Sequence, residues 1–166
     1  SSDVCSSDLN SYRLILYGNT ISNEKWNQLG LSEIAEYRGW LDYSKDVSTL
    51  KDIDVFLQLL DDNNVSKAGW PNKLGDYLAF GKPVILSPYG DIIDFVKNEK
   101  GFFIVEYNKY SILKILQEIK DIPYSDLKTM GYANRQLAEK ISWKNRAKNI
   151  EYICNKIRFN NETVKN

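Results

Sequence analysis

Apolar residues in this chain fall into short runs that alternate with stretches of helical spacing, the pattern of a parallel β-sheet with crossover helices. Five runs have strand length: residues 13–17, 34–38, 55–59, 84–86 and 102–105. Between them, 22–29 reads as a helix with Ser22 as its N-cap and Gly30 as its stop, and 46–50 as a short amphipathic turn. A further short helix is predicted over 91–97, with Ile92, Ile93, Phe95 and Val96 on its apolar side. Beyond the sheet the chain turns helical over 111–119, 125–140 and 142–157, Ser125 serving as a simple cap. In the last helix Trp143, Ala147, Ile150, Cys154 and Ile157 recur every three or four residues, which predicts a stripe facing the core. Residues 159–166 are polar and are expected to form a disordered tail.

With 166 residues, 43% of them hydrophobic and 27% charged, the chain has the makings of one ordinary hydrophobic core. Cationic and anionic residues balance at 22 each, so no net field recruits nucleic acid or anionic lipid. Any phosphate site must be local. No run approaches the roughly eighteen apolar residues of a membrane span, and no charged-then-apolar leader opens the chain, so a cytoplasmic location is expected. Histidine is absent, which removes Ser-His-Asp and Cys-His nucleophilic schemes and histidine-bearing metal sites. The two cysteines build neither a disulfide framework nor a zinc site; Cys154 reads as a buried small residue. Residues 1–9 resemble the conceptual translation of a common sequencing adapter, are expected to be non-native, and are set aside from fold reasoning.

Chemistry concentrates in residues 69–85, Gly-Trp-Pro-Asn-Lys-Leu-Gly-Asp-Tyr-Leu-Ala-Phe-Gly-Lys-Pro-Val-Ile. Pro71 suits the first position of a helix, while Gly81 followed by Pro83 suits its end. Lys73 then lies in the first turn. The helix dipole is positive there, so a lysine costs roughly 0.3–1 kcal/mol unless an anion such as phosphate answers it. An ordinary Lys73–Asp76 pair on an amphipathic helix is the plain alternative, although lysine placed before the acid is the less favourable order.

This segment resembles the donor-binding segment of retaining GT-B glycosyltransferases of the group 1 superfamily, in the form P-N-K-L-x-[DE]-Y-x-A-x-G-K-P-V. The resemblance covers residues 12–157. It implies a Rossmann-like α/β domain over residues 10–158, the C-terminal half of an enzyme whose N-terminal acceptor domain is missing. It implies, too, that Lys73 meets the diphosphate of a nucleotide-sugar donor and that Asp76 meets the ribose hydroxyls. Many relatives carry two glutamates separated by seven residues, the second at the place of Asp76; here the first is replaced by Ala68. No metal and no cofactor beyond the donor substrate are implied, and the isolated piece is expected to be inactive.

In an open parallel sheet, ligands bind beyond the carboxyl ends of the strands. Gly69 and Asn72 flank the segment there, Gly18 follows the first strand, and Trp40 follows the second, where it either stacks on a nucleobase or covers the sheet edge. Asp61 and Asp62 could suggest a metal site, but with Asn63 and Asn64 they fit a solvated turn better. Glu106 at the end of the fifth strand is explained by exposure. No catalytic base is assigned. The sequence thus points to the donor-binding part of a glycosyltransferase, hexosyltransferase-like and serving glycan or polysaccharide assembly; a domain that binds a nucleotide or sugar phosphate without transfer is the alternative.

Overall fold

The computed structural model describes residues 11–19, 22–28 and 35–163. Thus residues 1–9, Leu29, the stop at Gly30 and the first strand residue Ile34 lie outside the described residues. The elements run β1 (Leu14–Leu16), α1 (Asn23–Gln28), β2 (Ala35–Tyr37), α2 (Val47–Lys51), β3 (Phe56–Gln58), α3 (Asn64–Ala68), α4 (Asn72–Ala79), β4 (Val84–Leu86), α5 (Ile92–Val96), β5 (Phe102–Ile104), α6 (Lys109–Lys120), α7 (Tyr124–Lys140) and α8 (Trp143–Thr163). All five expected strands are present and every observed pairing is parallel.

Rather than one ladder, the strands form a pair, β1-β2, and a triplet, β3-β4-β5. Residues of β1 and β2 are only half-buried, and the pair joins the rest through side chains: Tyr17 and Leu41 pack on the main core. The Tyr17 hydroxyl lies 3.0 Å from Thr49 Oγ1. The triplet is the anchor. Val84, Ile85 and Leu86 of β4 are fully buried: Val84 and Leu86 pack with Leu74 and Leu78 of α4, Ile92 and Val96 of α5 and Leu137 of α7, while Ile85 packs on the other face with Val105 and with Ile119 of α6. Each such side chain contributes about 1.5–3 kcal/mol through burial.

Helix α7 sits behind α4 by close backbone approach. A Cβ on Gly131 would lie 2.0 Å from the carbonyl oxygen of Gly81, so glycine alone permits the contact. One turn on, the buried Asn134 donates from Nδ2 to the carbonyls of Lys82 and Gly101, both at 2.8 Å. That side chain ties the entrances of β4 and β5 together.

Several local expectations change. Pro71 is the N-cap of α4 in extended conformation, one residue earlier than the first helical position. Ser125 does not cap α7; Pro123 is the N-cap, and Ser125 lies inside the first turn. Asn64, expected with Asp61, Asp62 and Asn63 in a solvated turn, instead opens α3, because Asn63 supplies a side-chain cap to Ser66 N at 2.8 Å. The stripe of α8 faces outward: Trp143, Ile150 and Ile157 are 84%, 63% and 57% exposed, and Cys154 is exposed rather than buried. Helix α8 also runs to Thr163, so the tail expected from Phe159 is helical over residues 159–163.

Candidate functional site

The start of α4 is open. Pro71 has φ −72° and ψ 103° and makes no side-chain cap; its carbonyl accepts from Leu74 N at 2.9 Å. Among the described residues, the amides of Asn72 and Lys73 are left as free donors of the first turn. By contrast, Asn108 caps α6 by accepting from Ser111 N at 2.9 Å, as Asn63 caps α3. Lys73 is exposed, and among the described residues it forms no ion pair, with Asp76 or any other acid. Two buried leucines on the opposite side, Leu74 and Leu78, hold the helix against the core so that this end stays at the surface. The helix ends as expected, with Phe80 N bonded to Asp76 O, Gly81 N to Leu78 O, both at 3.0 Å, and Gly81 at φ +67°.

Three loops meet α4 or one another at this carboxyl edge. Gly18, at φ +139°, donates its amide to Gly39 O at 2.8 Å, and its own carbonyl accepts from the Tyr37 hydroxyl at 2.7 Å. Trp40 follows directly and is 75% exposed, so it does not cover the sheet edge. A few residues on, the Tyr43 hydroxyl donates to Asp76 Oδ2 at 2.7 Å, which binds the β2 loop to α4. Gly69 closes α3 in extended conformation beside the exposed Asn72. The structure therefore brings Gly69, Asn72, Lys73 and Asp76 onto one short segment, joins Gly18 to the base of the Trp40 loop, and links that loop to Asp76 through Tyr43.

Asp62 and Glu106, two of the remaining sequence candidates, have ordinary partners. Asp62 is paired with Lys67, and no group of three or more metal-ligating side chains occurs among the described residues. Glu106 accepts from the Tyr89 hydroxyl at 3.0 Å, and that bond, with its negative charge, raises the Tyr89 pKa. A cavity of about 210 Å³, lined by Asp54, Gly81, Lys82, Pro83, Tyr124, Leu127 and Lys128, lies where β3 and β4 begin. That is the wrong edge for a ligand site of this topology. Tyr43 was missed by sequence reasoning; its signal is a tyrosine set among the polar residues Asp42, Ser44, Lys45 and Asp46.

Neither a protein-family model nor a curated protein matches the sequence. Solved structures do. Sucrose-phosphate synthase from Thermosynechococcus elongatus superposes with TM-score 0.69 at 15% identity, covering 91% of this chain and 40% of that one. A glycosyltransferase from Rickettsia africae ESF-5 gives 0.67 at 15% identity, with 87% and 41% covered. The fold is one half of a GT-B glycosyltransferase. HepE from Anabaena, solved in complex with UDP, gives 0.60 at 15% identity, with 81% and 39% covered. Further HepE complexes hold UDP with glucose, and UDP-glucose. The chain spans about 40% of the length of the structures it matches.

Proposed function

We propose that this chain is the donor-binding half of a glycosyltransferase of the group 1 superfamily, which moves a sugar from a nucleotide diphosphate-sugar to a glycan or other acceptor with retention of configuration. The observation that supports this reading is the uncapped start of α4 with Lys73, unpaired among the described residues, beyond the carboxyl ends of the parallel strands of a fold like one GT-B half. Lys73 and the amides of Asn72 and Lys73 would hold the diphosphate. As the bond between sugar and diphosphate breaks, negative charge accumulates on the leaving phosphate oxygens, and fixed donors of this kind lower the barrier. Asp76 would accept from the ribose hydroxyls, the exposed Trp40 would stack on the base, and Gly18 would let backbone approach the ligand closely. The outward stripe of α8 supports a second domain, which would bring the acceptor. Without that domain the chain is expected to transfer nothing, because positioning two substrates is most of the catalysis. A cytoplasmic enzyme acting at a membrane surface on polysaccharide precursors fits this scheme.

Calorimetric titration of the chain with UDP and with uridine tests the reading. UDP should bind measurably tighter than uridine. Equal affinity for the two, or none for either, would remove the diphosphate site.

A further inference from the structure

The loop after β2 is braced far beyond what a surface turn needs. Ser44 donates from its amide and its hydroxyl to Asp42 Oδ1, at 2.9 and 2.6 Å. Asp42 N donates to Asp46 Oδ2 at 2.7 Å, and Asp46 N returns a bond to Asp42 O at 2.7 Å. The turn is thereby fixed by polar bonds, and from it projects Tyr43. The residue is 50% exposed, so it fills no core, yet its hydroxyl reaches across to α4 and donates to Asp76 Oδ2 at 2.7 Å. A carboxylate offers about four lone-pair sites on two oxygens. Tyr43 uses one, and Oδ1 accepts no hydrogen bond among the described residues.

We infer that Tyr43 is a positioning residue: it holds the Asp76 carboxylate in one orientation, leaving Oδ1 and the second lone pair of Oδ2 for the vicinal hydroxyls of a ribose. This rests on a nucleoside diphosphate seating at the start of α4. An exposed aspartate without such a brace would have to be immobilised when ligand binds, which costs roughly two- to tenfold in affinity. With the brace, that cost falls on folding instead. Desolvation of the Tyr43 ring and its bond to Asp76 push the phenol up to about 12, so it remains a donor throughout the neutral range.

The test measures binding of UDP and of 2′-deoxy-UDP to the full chain and to Tyr43→Phe, Asp76→Asn and the double variant. Tyr43→Phe keeps the ring and should weaken UDP about two- to tenfold, with a smaller effect on 2′-deoxy-UDP, so the ratio of the two affinities falls. In the Asp76→Asn background the same change should leave that ratio unmoved. A purely structural tyrosine would lower both affinities alike and keep the ratio, which overturns the inference; so does a ratio that still falls when Asp76 is already Asn. Because both ligands are read on the same variant, partial unfolding cancels. If the parent chain binds UDP and Tyr43→Phe binds both ligands like it, this inference alone fails. If the parent binds no UDP, the diphosphate site fails and takes this inference with it.

Discussion

Replacing Lys73 with alanine should make the chain more stable and a worse ligand for diphosphates. Lys73 is the second residue of α4, exposed, beside the positive end of the helix dipole and without a carboxylate partner among the described residues. Removing its charge relieves about 0.3–1 kcal/mol, toward the lower end for an exposed group screened by salt. Alanine is also the slightly better helix former. The same change deletes a charge-assisted hydrogen bond to phosphate, about 1.5–3 kcal/mol. At roughly 1.4 kcal/mol per tenfold, that weakens UDP about 10- to 150-fold and leaves uridine alone. Denaturant unfolding gives the first quantity and calorimetry the second. Stability that falls, together with an unchanged preference for UDP over uridine, would refute the reasoning and make Lys73 a structural residue.

Gly131→Ala should destabilise the chain by about 1–3 kcal/mol despite alanine's helical preference, since its Cβ would meet the Gly81 carbonyl at 2.0 Å; a denaturant midpoint equal to the parent's would deny the close approach of α7 to α4. Ile150→Ser with Ile157→Ser should change stability by no more than about 0.5 kcal/mol, because both side chains are already exposed, and a loss above roughly 1 kcal/mol would mean that α8 packs against its own chain. Hydrogen bonding from Arg38, then from Arg13, holds the Glu36 carboxyl below its ordinary value of 4.5. The folded state therefore gains from Glu36 above about 4.5 and loses that gain as pH falls through the lowered folded value. Glu36→Gln should flatten the acid limb of the stability profile over that window, and a slope identical to the parent's would show that the contacts with Arg38 and Arg13 do not form in solution.

The strands were legible because buried parallel strands write themselves as continuous apolar runs; Val84, Ile85 and Leu86 are wholly buried at the positions expected. The end of α4 was equally legible, since Gly81 at φ +67° is a local backbone requirement. What failed was any step that needed to know a neighbour. The α8 stripe has helical spacing, but spacing fixes only that residues share a face and says nothing of what covers it. Nothing local marks Asn134 as buried, because the carbonyls of Lys82 and Gly101 that it meets come from distant parts of the chain. Tyr43 was missed for the same reason: its polar surroundings mark it only weakly, and its partner Asp76 lies on another element, 33 residues away. At the candidate site, Lys73 and Asp76 stood out because a helix start constrains which charges are comfortable there, whereas the loops around them carry only weak local signals.

Amide shift mapping of the labelled chain with UDP tests the central claim most directly, because it asks where the diphosphate sits. The account predicts that the amides of Asn72 and Lys73 shift most, with Gly69, Asp76, Gly18 and the Trp40 indole following, and that uridine moves Asp76 and the Trp40 indole but not Asn72 and Lys73. Shifts centred instead on Lys82, Tyr124 and Lys128, at the opposite edge of the sheet, or no shifts at all, would contradict it.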